Sequence, residues 1–176
     1  MMRITTVFLA IFMFALSAAA ADLKIGHVDL QRLMAQSDAG KEMRKLYLDR
    51  AKKYQDEIND RSERLKKLKE EIEAKAKGLK EGEKVPQEII DKDKEYGVQA
   101  RELQRLLGGY QDELKVYDAE LTGKVLNEFA PVLKEYATRN KFDYIFIRTD
   151  TLAYGAEKLD LTEELIDVFN RKHGKR

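Results

Sequence analysis

The stretch GLKEGEKVP, residues 78–86, decides the fold of this chain. Gly78, Gly82 and Pro86 recur there every four residues, in the middle of a long, highly charged run. Such punctuation either separates two domains or marks the tip where one long helix turns back on itself. The flanks choose between these. Before the stretch, apolar residues step by three and four through Tyr47, Ala51, Tyr54 and Ile58, then Leu65, Leu68, Ile72 and Leu79. Within that series Ala51, Ile58, Leu65, Ile72 and Leu79 form a strict seven-residue repeat, the pattern of a helix in a left-handed coiled coil. Arg61 and Lys75 are basic intruders on the stripe. After the stretch the pattern returns as Tyr96, Ala100, Leu103, Leu107, Tyr110, Leu114, Tyr117 and Leu121, then drifts through Val125, Phe129, Val132, Leu133 and Tyr136.

Neither flank can bury a core alone, because one narrow apolar stripe on a charged helix needs a partner. A linker between domains is therefore disfavoured, and so are two uncoupled helices held only by i,i+4 ion pairs. The reading is an antiparallel helical hairpin, an arm over residues 43–130 with its tip near 80–88. A helix over 43–79 would extend about 55 Å. Charge supports the pairing: residues 41–84 carry a net +4 and residues 85–130 a net −4. Folding at Lys84 sets residue i against residue 168 − i. Ile58 then meets Tyr110, Tyr54 meets Leu114, and Lys75 meets Asp93, while Arg61 falls unfavourably opposite Leu107. Ser37-Asp38 offers an N-cap to the first helix, Asn140 a stop to the second, and Pro131 predicts a kink.

The first twenty residues read as a cleaved signal peptide: Arg3, an apolar core from Val7 to Leu16, then Ala18 and Ala20 in a small-x-small pattern. That core is about half of what spans a bilayer, and no later stretch is long and apolar enough to do so. The chain has no cysteine, which excludes disulfides, thiol chemistry and a lipid-anchored Cys. Arg3 supplies the single formal positive excess, so the rest is formally neutral, unlike a general nucleic-acid binder.

The ends, residues 21–42 and 131–176, read as a small β-rich head. LKIGHVDL is a strand burying Ile25 and Val28; KFDYIFIRTD is a second, with Tyr144 and Phe146 alternating against Ile145 and Ile147; TLAYGAEKL is a third, carrying Leu152 and Tyr154. DLTEELIDVFNRK is a terminal helix that Thr162 can cap. The fold class is α+β. The hairpin brings both ends together into one sheet, too small to be stable alone without disulfides, so several copies are expected to associate through it.

Two end segments carry a resemblance. KIGHVDLQRLMAQSDAGK, through Val28, Asp29, Gln31, Ala39, Gly40 and Lys41, resembles the opening of the Skp/OmpH family. YIFIRTDTLAYGAEKLDLTEELI, through Tyr144, Tyr154, Asp160 and Thr162, resembles its close. The resemblance implies a jellyfish-like homotrimer, with a β-barrel-like head and three arms around a cavity. It implies a periplasmic, ATP-independent holdase that keeps unfolded outer-membrane β-barrel proteins from aggregating on their way to the outer membrane. This chain departs from well-known members in being neutral rather than strongly basic, which weakens electrostatic capture of anionic lipid and leaves only transient contact with a membrane surface. It also places Gly108-Gly109 inside the return arm, where the pair offers a point of flexure.

No catalytic, cofactor or metal constellation appears. His27 and His173 are far apart in sequence, and GLKEGEK lacks the spacing of a phosphate-binding loop. An enzyme is disfavoured. The other reading is a periplasmic coiled-coil adaptor without chaperone activity. The five tyrosines Tyr47, Tyr54, Tyr96, Tyr110 and Tyr117 are expected to fill the seam.

Overall fold

A computed structural model describes residues 23–80, 83–149, 152 and 154–173. The proposed signal peptide, residues 1–20, lies outside the described residues. In chain order the elements are β1 (Ile25–Val28), α1 (Leu30–Gln36), α2 (Asp38–Lys77), α3 (Gln87–Arg139), β2 (Tyr144–Ile147), a 3-10 turn (Glu157–Leu159) and α4 (Thr162–His173).

The central run doubles back as a hairpin. Ser37 caps α2, its Oγ accepting from the Gly40 N–H at 3.1 Å. Gly78 ends that helix, Pro86 opens α3, and Asn140 closes it. At 40 and 53 residues the two helices are roughly 60 and 80 Å long. Pro131 does not end α3; it sits at an exposed position in a continuous helix, where its missing N–H costs a single ladder bond.

The register differs from the expected one by about a helical turn. Tyr110 meets Tyr54 instead of Ile58, and Tyr54 meets Tyr110 instead of Leu114: the rings stack with centroids 4.0 Å apart and planes within 2°. Lys75 pairs with Glu88, not Asp93, and Glu71 with Lys92 at 2.5 Å. The helix ends at Lys77 and Gln87 centre the turn near residue 82 instead of 84. A slip of one turn keeps the same face of each helix inward, so the heptad pattern is nearly blind to it. Arg61 is consequently not set against Leu107; it binds Glu57 on its own helix at 2.8 Å.

α1 went unforeseen. Asp29 caps it, accepting from the Arg32 N–H at 3.0 Å, and Leu30, Leu33 and Met34 give it an apolar face toward the core. It approaches α2 so closely that a Cβ on Gly40 would lie 1.9 Å from the Met34 carbonyl oxygen.

In the head, β1 and β2 pair in parallel, Ile25 opposite Tyr144 through Val28 opposite Ile147. Parallel neighbours need a long crossover, and here the crossover is the whole arm. The expected third strand is not formed at Leu152 and Tyr154; residues 150, 151 and 153 lie outside the described residues. The free side of β1 is already taken, by a bridge from His27 to Asp160 and a hydrogen bond from the Leu161 N–H to the His27 carbonyl at 2.8 Å. α4 then packs its Leu165, Ile166 and Phe169 on Val28, Leu33, Val125, Phe129 and Val132, which form one core at the arm's root. Phe129 and Phe169 meet edge to face at 5.5 Å.

Candidate functional site

Two surfaces are candidates for function: the length of the arm and the outer face of the head. The arm is a two-stranded coil, so each helix covers only one side of the other. Of the seam residues named from the sequence, Leu65 and Leu121 are buried. Tyr47, Ala51, Tyr54, Ile58, Leu68, Ile72, Leu79, Tyr96, Leu103, Tyr110, Leu114 and Tyr117 are half-buried. Leu107 is exposed, and its neighbour Leu106 is half-buried in its place. Both lie within the helical step from Leu103 to Tyr110, three and four residues after Leu103, and heptad spacing admits either.

Three of the seam tyrosines, Tyr54, Tyr110 and Tyr117, are engaged within the arm. The Tyr54 hydroxyl donates to Glu113 at 2.5 Å, and the Tyr110 hydroxyl donates to Glu57, which also accepts from Arg61. These bonds raise both phenol pKa values and hold the Glu57 carboxyl below the usual range, the Tyr110 bond contributing most there. Arg50 lies 3.7 Å over the Tyr117 ring. Toward the tip, Lys92 and Lys75 lower the pKa of Glu71 and Glu88 through hydrogen-bonded ion pairs. Cross-arm charge pairing therefore runs both ways, since Lys92 belongs to the acidic helix.

Sequence reasoning missed a second set of arm residues. Leu46, Leu48, Val98 and Val116 are large, apolar and exposed, Val116 at 58%. They lie off the heptad stripe, and being out of phase with it is the signal that marks them. They are apolar side chains exposed on an otherwise highly charged arm. Gly108 and Gly109 are exposed in mid α3, where a Cβ on either would meet no other atom within 4 Å. Packing therefore does not demand glycine there.

The head presents the other surface. Val28 is fully buried, while Ile25, Ile145 and Leu152 are half-buried. Tyr144, Phe146 and Ile147 are about half exposed and Tyr154 is 82% exposed. Tyr144 and Phe146 stack on one another at 6.0 Å. These are large apolar side chains left exposed on a small sheet.

The residues of the two recognisable end motifs meet in one knot between these surfaces. The Asp29 N–H donates to Thr162 Oγ1 at 2.9 Å, and Asp160 accepts from the Thr162 backbone N–H at 2.9 Å and from its hydroxyl. Thr162 is thus the first residue of α4 and not its cap; Asp160 accepts from its backbone N–H, and the Thr162 hydroxyl oxygen accepts from the Asp29 N–H. Arg32 grips Asp160 at 2.9 Å and also Glu163. Burial pushes the Asp160 pKa up, but the Thr162 hydrogen bonds and the Arg32 charge outweigh it, and the net shift is downward. Among the described residues no group of His, Asp and Glu has the arrangement of a metal site. No helix among them is long and apolar enough to cross a membrane.

A long helical hairpin on a small α/β head, with large apolar side chains exposed on both, defines a class of arm-bearing proteins. The profile of the family described as outer membrane protein (OmpH-like) matches residues 24–169, and the chain belongs to that family. Among solved structures, one from Caulobacter crescentus CB15, provisionally described as an outer membrane chaperone (OmpH-like), matches with a TM-score of 0.74. The two share 13% identity over 85% of each chain, so this likeness bears on the fold. No curated protein matches the sequence.

Proposed function

We propose that this protein is an ATP-independent periplasmic holdase for unfolded outer-membrane β-barrel proteins, acting as a homotrimer whose arms surround the client. The observation that carries the reading is the arm itself: a rod of about 60 Å with large apolar side chains exposed at intervals among charges. Membership of the OmpH-like family supports the client class and the compartment. Export through a cleaved leader, residues 1–20, fits the same location. An unfolded β-barrel protein exposes alternating apolar residues and unpaired strand edges, and these aggregate by pairing with other chains. Scattered apolar contacts and the stems of Lys and Arg hold such a chain without demanding a sequence. Weak contacts in number, closed off by several arms, replace one tight site. The exposed face of β2 that carries Tyr144 and Phe146 joins the copies.

The test is dilution of a denatured β-barrel membrane protein with and without this protein, no nucleotide added, followed by light scattering. Suppression of aggregation at about one trimer per client is expected. Replacing Leu48, Val98 and Val116 together with Ser should weaken it while leaving the helical circular dichroism unchanged. Full aggregation with the unaltered protein present would favour a coiled-coil adaptor instead.

A further inference from the structure

His173 closes α4 at the root of the arm and faces one carboxylate on each arm helix. Its Nε2 lies 3.2 Å from Glu42 of α2, and its Nδ1 lies 3.3 Å from Glu128 of α3. The imidazole is 25% exposed and Glu128 21%, so both are largely withdrawn from water. Phe169 lies against the ring with centroids 6.2 Å apart. The Nδ1 approach is within ion-pair range but is not aligned as a hydrogen bond. We propose that His173 is a proton-operated clasp that ties α4 to both helices of the arm in mild acid and lets the arm root loosen at alkaline pH.

The reasoning is chemical. An imidazolium donates from both nitrogens, whereas a neutral imidazole donates from one and turns a lone pair on the other. Only the protonated ring can attract Glu42 and Glu128 together; the neutral ring sets a lone pair against one of the two carboxylates. The position adds to this, because a cation in the last turn of a helix is favoured by the helix dipole. Among the described residues, Lys124 of α3 lines the same cavity, and Lys172 of α4 pairs with Glu135 of α3. Lysine and glutamate side chains ordinarily keep their charge between about pH 5.5 and 8, while imidazoles change theirs. The chain has two histidines, and the other, His27, is buried in β1. The arm amplifies the effect: on a lever of about 60 Å, a tilt of about 5° at the root moves the tip by about 5 Å.

The absence of cysteine makes site-specific labelling unambiguous. Spin labels at Asp167→Cys in α4 and Lys53→Cys in α2, in full-length protein diluted with unlabelled chains and without client, report the angle between head and arm by pulsed electron resonance. A distance distribution at least about 1.5-fold wider at pH 8 than at pH 5.5 is expected. His173→Gln, and separately the Glu42→Gln/Glu128→Gln pair, should give one width at both pH values. Equal or reversed widths in the unaltered background overturn the clasp. So does a pH response that persists in His173→Gln, which would assign it to His27 or the carboxylates.

Discussion

At the scale of single residues, the head depends on a few side chains that no periodic pattern announces. Asp160 is one. It is 18% exposed, holds the Thr162 N–H and hydroxyl, and takes the charge of Arg32. Its pKa is depressed in the folded protein, so its ionised form stabilises the fold above the unfolded Asp pKa of about 3.9. That contribution disappears as pH falls through the lower, folded value. Asp160→Asn keeps an oxygen for Thr162 but removes the charge. It is expected to cost about 1 kcal/mol at pH 7, since Arg32 is partly solvated. Urea unfolding of both proteins across pH 2–7 checks this, and the two curves should converge at the acid end. Asp29, Asp160 and Thr162 stood out in the sequence as motif residues; that they form one knot across 133 positions was not legible there.

At the scale of elements, the hairpin separates what periodicity can decide from what it cannot. Apolar residues at heptad spacing require a helix with a partner, and the glycines and proline around residue 82 require a turn. The register is another matter. It follows from the Tyr54–Tyr110 stack and the ion pairs Lys75–Glu88 and Glu71–Lys92, which are not periodic. Cysteines at Leu68 and Tyr96 should therefore cross-link efficiently with a short bifunctional maleimide, and cysteines at Ile72 and Tyr96 poorly. The reverse ratio on a denaturing gel would restore the register centred on Lys84. Gly108 and Gly109 belong to this scale too. With open space where their Cβ atoms would stand, Ala at both is expected to raise arm stability by about 2 kcal/mol, about 1 per site. Thermal melting followed at 222 nm measures it. A loss of stability would mean that these positions are packed against something the single chain does not contain.

At the scale of the whole molecule, the small head is the part least able to stand alone. Among the described residues its sheet has two strands, and Tyr144, Phe146 and Ile147 of β2 are exposed. A sheet this small is marginal without further cover, which is why self-association accompanies the chaperone reading. Phe146→Asp places a charge on the exposed face of β2 and is expected to reduce the mass measured by light scattering toward that of one chain. An unchanged mass would locate the contact elsewhere.

The amino-acid sequence by itself determined the helices, the turn between them, the Ser37 cap, the Asn140 stop and the meeting of the chain ends. Each rests on spacing within a helix or on a residue's effect on the backbone beside it. The tertiary structure alone decided the one-turn register, the burial of Leu106 in place of Leu107, the helix α1, and the occupation of the free side of β1 by Asp160 and Leu161. A repeating stripe looks nearly the same after a shift of one turn, and a strand exists only where another backbone supplies its hydrogen bonds. Both outcomes depend on contacts between residues distant in the chain, which local pattern does not encode.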